Sequence, residues 1–357
     1  MLKNELTVGI ILLFLLSSVI SFASSNEVSS NNIIYVDDNG GADYTRIQDA
    51  IANASKGDTV FVYNGTYNEK VVINKPISLI GEDRNSTIIK FRLEGNLVKV
   101  TADGVTVSDF KVKNTELGDS IGIGVYSSNN IISGNIIHNG ARYGIKVSNG
   151  NFNIINNNWI SWGASTGAGI SLINSYNNIV SDNNISGFFA CMKFMQCDAG
   201  YPNTIINNII ICKTEEHGSR FGIFLSDING ECENFEIACN LIKDCSGEES
   251  GAIHIQSGNP NIHHNLIKDN YIGIDIEYAS GNIHHNTLIS NSKDATFIFR
   301  FDDMVSTKWY RNYWNRTRIA PKSIFGTIVI DKLHVPWMEF DWFPAIRPYD
   351  IPMGMSI

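Results

Sequence analysis

The word NIHHN occurs twice, as Asn261–Asn265 and as Asn282–Asn286, 21 residues apart. It supplies two adjacent histidine pairs, His263 with His264 and His284 with His285. If the chain brings the pairs together they can do metal chemistry, because neutral imidazole is a ligand for copper and zinc. A second group lies close by: His254, Gln256, Asp275 and Glu277, with Lys193 before it and Arg300 after it. Asp275 and Glu277 are two apart, so on one face of a strand their Cα atoms stand about 6.6 Å apart. That overlaps the lower end of the roughly 6.5–9.5 Å carboxyl separation of inverting glycosidases. A lyase acting on a uronate would instead use His254 as base, with Arg300 or a bound cation neutralising the sugar carboxylate. In these readings Asp275, Glu277, His254 and Arg300 are catalytic, Lys193 and Gln256 contact substrate, and copper, zinc or calcium is the candidate ion. Each group also has a plainer explanation. Polar residues point outward on any exposed strand, and the histidine pairs have polar counterparts upstream in Ser133-Gly134, Asn156-Asn157 and Asp182-Asn183.

What must position these residues is a repeat. The asparagine closing each NIHHN has counterparts along the chain, giving the file Asn135, Asn158, Asn184, Asn208, Asn240, Asn265, Asn286 and Asn312, with steps of 23, 26, 24, 32, 25, 21 and 26 residues. Between them run short alternating words, GIGVY at Gly122, GIKVS at Gly144, GISLI at Gly169, GIFLS at Gly222, AIHIQ at Ala252 and GIDIE at Gly273. Each reads as a strand that is apolar at its second and fourth positions. A coil of such strands cannot bury its apolar face alone, so coils must stack, about 4.8 Å apart. The expected fold is therefore all-β, a parallel β-helix in which inward asparagines hydrogen-bond their equivalents one coil away. Stacking places His263 over His284 and His264 over His285. It gathers His254, Gln256, Asp275, Glu277 and Arg300 on one outer face, with Lys193 joining from the irregular coil FFACMKF.

The ends of a solenoid must differ from its middle. YTRIQDAIANAS predicts a capping helix with Thr45 as N-cap, Gln48 three residues on, and Ile47, Ala50, Ile51 and Ala54 on one face. At the far end four of the six tryptophans fall in KWYRNYWNRTRIAPKSIF and HVPWMEFDWFP, where they are expected to plug the core. The expected boundaries are 1–24 for an export signal, 33–100 for the N-terminal cap and first coils, 101–315 for the repeats and 316–357 for the C-terminal cap.

The chain of 357 residues is 43% hydrophobic and carries a net charge of −9, which argues against nucleic-acid and anionic-membrane partners. Lys3 followed by VGIILLFLLSSVISF and the small residues of SFASSN predicts export, hence a secreted or cell-surface protein. Membrane contact then arises only through an uncleaved signal segment. All six cysteines fall between Cys191 and Cys245 without a CxxC pair, so disulfides and buried thiols are both open. Asn53, Asn64, Asn85 and Asn315 begin glycosylation sequons.

IIYVDDNGGADYTRIQDAIANASKGDTVFVYNGTYNEKVVINKPISLIGE resembles the entry segment of exported right-handed parallel β-helix proteins of archaeal type, and is similar to the start of pectin methylesterases. The body from Asp109 to Asn312 resembles NosD-type and pectin-lyase-like repeats, and RNYWNRTRIAPKSIFG with VPWMEFDWFPA resembles the archaeal C-terminal cap. The resemblance implies that the outer strand face takes up polysaccharide or a cell-surface glycan and binds or modifies it. NosD is associated with copper delivery, although the repeats transfer no ligand residue. A purely structural surface-layer or adhesion protein is a third reading, which the many Asn, Ser and Gly residues suit. The esterase words have no good match, the nearest being ATFIFRF at Ala295, which lacks the required carboxylate.

Overall fold

The computed structural model describes residues 31–351 except 93, 115–117, 139–140, 162–166, 198–200, 213–220, 227–234, 247–250 and 302–306. The expected signal segment and Cys232 lie outside the described residues.

Isoleucine-rich three-residue strands alternate with longer ones, and each lies parallel to its counterpart in the next coil. Three sheets result. Sheet A has twelve strands from Ile33–Val36 to Lys308–Tyr310, and sheet B eleven from Gly65–Tyr67 to Tyr313–Trp314. Sheet C has twelve, from Val71–Ile73 to Leu333–Asp341, the last of them antiparallel to Lys322–Ile330. One coil runs Ile131–Ser133, Ile136–His138, Ala141–Ser148, and the next begins at Ile154. In sheet A the middle residues Ile132, Ile155, Val180, Ile205, Ile237, Ile262 and Ile283 are all fully buried, one above another. Each such side chain contributes roughly 1.5–3 kcal/mol by leaving water. The opening glycines of sheet C have a packing reason. A Cβ on Gly222 would stand 2.5 Å from the Ala252 carbonyl oxygen, and one on Gly273 2.4 Å from that of Asp294, so only glycine lets the next coil approach.

The corner between sheets A and B holds a continuous asparagine ladder. Side-chain amides donate to the next side-chain oxygen from Asn135 to Asn158, Asn183, Asn208, Asn240, Asn265, Asn286 and Asn312, at 3.0–3.1 Å. The residue in the file is Asn183, fully buried, and not Asn184 as the sequence pattern suggested. Asn184 opens the next strand and pairs with Trp159 and Ile209. With Asn183 in place the two flanking steps are both 25 residues. A second ladder, not anticipated, joins Asn130, Asn153, Asn178 and Asn203 at the corner between sheets C and A. At the third corner Asn270 donates to Asn291. One coil earlier there, Cys245 is disulfide-bonded to Cys212, with Cα atoms 4.7 Å apart. Cys191 and Cys197 are buried, and Cys239 is a free thiol.

Both ends depart from expectation in detail. The capping helix α1 spans Ile47–Asn53 and buries Ile47, Ala50 and Ile51. Its N-cap position is Arg46, without a side-chain cap, rather than Thr45. The first two amides donate instead to the Glu69 carboxylate at 2.9 and 3.0 Å, and the Gln48 side chain bonds the backbone of Val72. At the other end Trp309 and Trp314 are buried, whereas Trp337 and Trp342 are exposed, so only half of the expected aromatic plug forms. The asparagine ladder stops on the buried Asp341, whose carboxylate accepts from the Arg311 and Asn312 amides and from Trp314 Nε1.

Candidate functional site

Outward residues of sheet C form files along the helix axis, because strand pairing fixes their register. The central file reads Lys99, Gly124, Lys146, Ser171, Lys193, Phe224, His254, Asp275 and Thr296. Lysine thus recurs at every second coil over the first half, about 9.6 Å apart. Lys146 Nζ lies 5.0 Å from the Tyr143 ring centre and Lys99 Nζ 5.4 Å from that of Tyr126. Arg142 ion-pairs with Asp119 at the same level. Burial, and then the charge of Arg142, pull the Lys146 and Lys193 ammonium groups below the ordinary lysine range.

Below the lysines an apolar platform follows. Phe221 and Phe224 stack at 4.8 Å and cover one side of the His254 ring, at 4.9 and 5.1 Å. His254 is only 6% exposed. Its Nδ1 is 2.7 Å from Asp275 Oδ2 and its Nε2 3.5 Å from Glu277 Oε2. Gln256 Nε2 donates to the same Glu277 oxygen at 2.9 Å, and Ser226 Oγ donates to Gln256 at 3.3 Å. An imidazole oriented by one carboxylate and facing a second can hold a proton and pass it on, which is what a general acid–base requires. Glu277, with 31% of its side chain exposed, is the member open to a ligand.

Sequence reasoning placed His254, Gln256, Asp275 and Glu277 on one face, and the structure brings these four together. Arg300 does not join them. Glu277 pairs with Ile298, while Arg300 pairs with Val329 two residues further along and stacks on Tyr278 at 4.9 Å. Lys193 sits two coils from His254, over the Phe224 ring at 5.4 Å, and so is no direct partner of the acid–base group. Phe221, Tyr143 and Arg142 were missed. Phe221 opens its strand just before the word GIFLS, and Arg142 and Tyr143 just before GIKVS, outside the repeated words themselves.

The histidine pairs occupy a different edge, the A–B corner. His263 and His284 stack at 5.0 Å with ring planes 11° apart, and His264 and His285 at 5.2 Å and 8°. Within each pair the Nδ1 atoms face each other, at 2.8 Å for His263 with His264 and 2.7 Å for His284 with His285. Tyr310 stacks beneath His284 at 4.7 Å, and Tyr349 lies across His264 and His285. Burial, then the charges of neighbouring histidines, push His264 and His284 down to about 4. Among the described residues no three His, Cys, Asp or Glu side chains converge on a metal position. Each coil offers two nitrogens, Nδ1 of His263 with that of His264 and Nδ1 of His284 with that of His285.

With this geometry in view, residues 94–248 match the family model described as right handed beta helix region. The fold is accordingly a right-handed parallel β-helix. Among solved structures the chain is similar to the Dettilon tailspike protein, at 12% identity over 88% of this chain and 72% of that one, TM-score 0.55. It is also similar to pectate lyase Pel9A, at 17% identity over 76% and 75%, TM-score 0.51. The tailspike protein 2 active domain of bacteriophage CBA120 matches at 12% over 80% and 49%, TM-score 0.54. No curated protein matches the chain. At 12–17% identity these likenesses show a shared fold, and a fold does not by itself carry a function.

Proposed function

We propose that the protein is exported and binds acidic polysaccharide along the outer face of sheet C. The observation that carries this reading is the axial file Lys99, Lys146, Lys193, Phe224, His254 and Asp275. On a chain of net charge −9 a row of regularly spaced ammonium groups is a local exception. Its pitch of two coils presents one cation per disaccharide-sized step to a chain lying along the axis. Sugar rings then stack on Phe221 and Phe224, as apolar sugar faces do on aromatic rings. At the end of that path His254, held by Asp275, faces Glu277 and serves as the proton-transferring group if the bound chain is cleaved. The similarity to a pectate lyase and to tailspike proteins supports a glycan partner at the level of fold.

Affinity electrophoresis through gels containing polygalacturonate, alginate or neutral dextran tests the reading. Retardation by the acidic gels is expected, reduced at least tenfold in Lys146→Ala/Lys193→Ala, with dextran inert. Equal retardation of parent and variant ends the proposal. Release of unsaturated or reducing ends from the retarding polymer, lost in Asp275→Asn, measures cleavage separately. Amino-terminal sequencing of protein recovered outside the cell tests export and should begin near Ala23–Ser25.

A further inference from the structure

The A–B corner carries chemistry that the glycan reading leaves unused. It begins with Glu236, half-buried in sheet A. Its carboxylate only accepts hydrogen bonds, so the groups facing it must donate. His263 Nε2 contacts Glu236 Oε1, and Asn261 Nδ2 donates to Glu236 Oε2 at 2.9 Å. His263 therefore carries its proton on Nε2. The Asn261 amide, turned with nitrogen toward Glu236, presents its oxygen to His284 Nε2 at 3.0 Å. His284 carries its proton on Nε2 as well. One carboxylate thus fixes the tautomer on two successive coils. Both inner histidines are left with an Nδ1 lone pair pointing at the Nδ1 of His264 or His285. Orientation of a ring by a carboxylate or amide on its far nitrogen is the usual support for a metal-binding histidine.

The separation within each pair selects the geometry. Two nitrogens 2.7–2.8 Å apart, each about 2.0 Å from one ion, subtend an angle of about 85–90°. That is the cis angle of a tetragonal ion, whereas a tetrahedral ion needs the nitrogens about 3.3 Å apart. The two pairs lie 5.0 Å apart along the axis, too far for one ion to reach all four nitrogens at bonding distance. We propose that His263/His264 and His284/His285 form two stacked bis-imidazole sites, each taking one copper(II) ion through Nδ1 as the proton between the two nitrogens moves to Nε2 of His264 or His285, with Glu236 and Asn261 as positioning residues. Water completes each coordination sphere, since all four rings are only part-buried.

The test uses the purified protein carrying Cys239→Ser, because Cys239 lies one coil before His264 and its thiol would capture or reduce copper. Suitable substitutions exist on earlier coils: Ser133 and Ser181 stand where His263 does, and Asn157 and Asn207 stand where His264 does, with φ of 56° and 59° against 54°. His263→Ser/His264→Asn and His284→Ser/His285→Asn therefore keep the fold, checked by circular dichroism and melting. Titration with copper(II) sulfate, followed by electron paramagnetic resonance, should give two equivalents with two-nitrogen hyperfine structure. At saturation, dipolar coupling between neighbouring ions should appear. Each double variant should lose one equivalent and the coupling, and the quadruple variant both equivalents. Tenfold excess zinc sulfate should not displace the copper. Unchanged uptake in the quadruple variant, absence of nitrogen coupling, a single equivalent abolished by either double variant, or displacement by equimolar zinc would each overturn the proposal. Because these residues are remote from sheet C, glycan retardation should not change in the quadruple variant.

Discussion

Asn240 and Asn265 stand one coil apart, and the Asn240 side-chain amide donates to the Asn265 side-chain oxygen at 3.0 Å. The same amide also reaches the carbonyls of Ile205 and Ala238, while the Asn240 oxygen accepts from the backbone and side-chain nitrogens of Asn208. Every polar atom of the Asn240 side chain is thus used at a fully buried position. Asn240→Ala strands the Asn208 amide and its neighbours, at about 1–3 kcal/mol for each group left unpaired. We expect a loss of about 3 kcal/mol in urea unfolding. Asn184→Ala, on the part-buried neighbour that is outside the file, should stay within about 0.5 kcal/mol of the parent. Equal effects at the two positions would contradict the ladder.

Glu69 does the work expected of Thr45. Its buried carboxylate takes the first two amides of α1 from 21 and 22 residues away. Charge-assisted bonds of this kind are stronger than neutral ones. Glu69→Ala should therefore cost about 2 kcal/mol, comparable with losing a strong N-cap. Thr45→Ala should cost almost nothing. Thermal melting of both variants decides the matter; a larger effect at Thr45 would reverse the assignment.

Glu339 accepts from Trp309 Nε1 at 2.6 Å, and burial lifts its carboxyl from the ordinary 4.5 to about 7. The folded chain keeps this proton through a range in which the unfolded chain has released it. Stability from this group is therefore complete below about pH 4.5 and declines as pH rises toward about 7. The decline amounts to about 3 kcal/mol at most. Glu339→Gln should flatten the melting temperature over that interval. Parallel curves for parent and variant would exclude Glu339 as the source.

The periodic part of the fold was legible because a buried amide tolerates few substitutes, so the ladder prints asparagine on the sequence every two dozen residues. The errors arise where the print is doubled or blurred. SDNNIS offers two adjacent asparagines, and a slip of one residue turns an inward side chain outward. Composition cannot separate Asn183 from Asn184; strand register can. The second ladder was hidden for the same reason, since Asn130, Asn153 and Asn178 each sit among other asparagines. Arg300 was misplaced because its strand, Lys293–Arg300, has no opening glycine to mark the register and is eight residues long. The acid–base group around His254 was recoverable because the strands Gly251–Ile255 and Ile272–Glu277 alternate cleanly. Glu69 left no local mark, as a cap borrowed from a distant strand is a tertiary event.

The residue before each ladder asparagine, from Asn157 through Asp182, Asn207, Cys239 and His264 to His285, takes a positive φ. Its backbone amide ties neighbouring coils together, as in the bonds from Asn157 to Ser181 and from Cys239 to His263. Frame and ornament are thereby separated: the main chain ties the coils together, and the side chain adds contacts of its own at the margin. Mutational drift can exchange asparagine, aspartate, cysteine or histidine along this margin, trying out new reactivity at constant intervals while the scaffold stays intact.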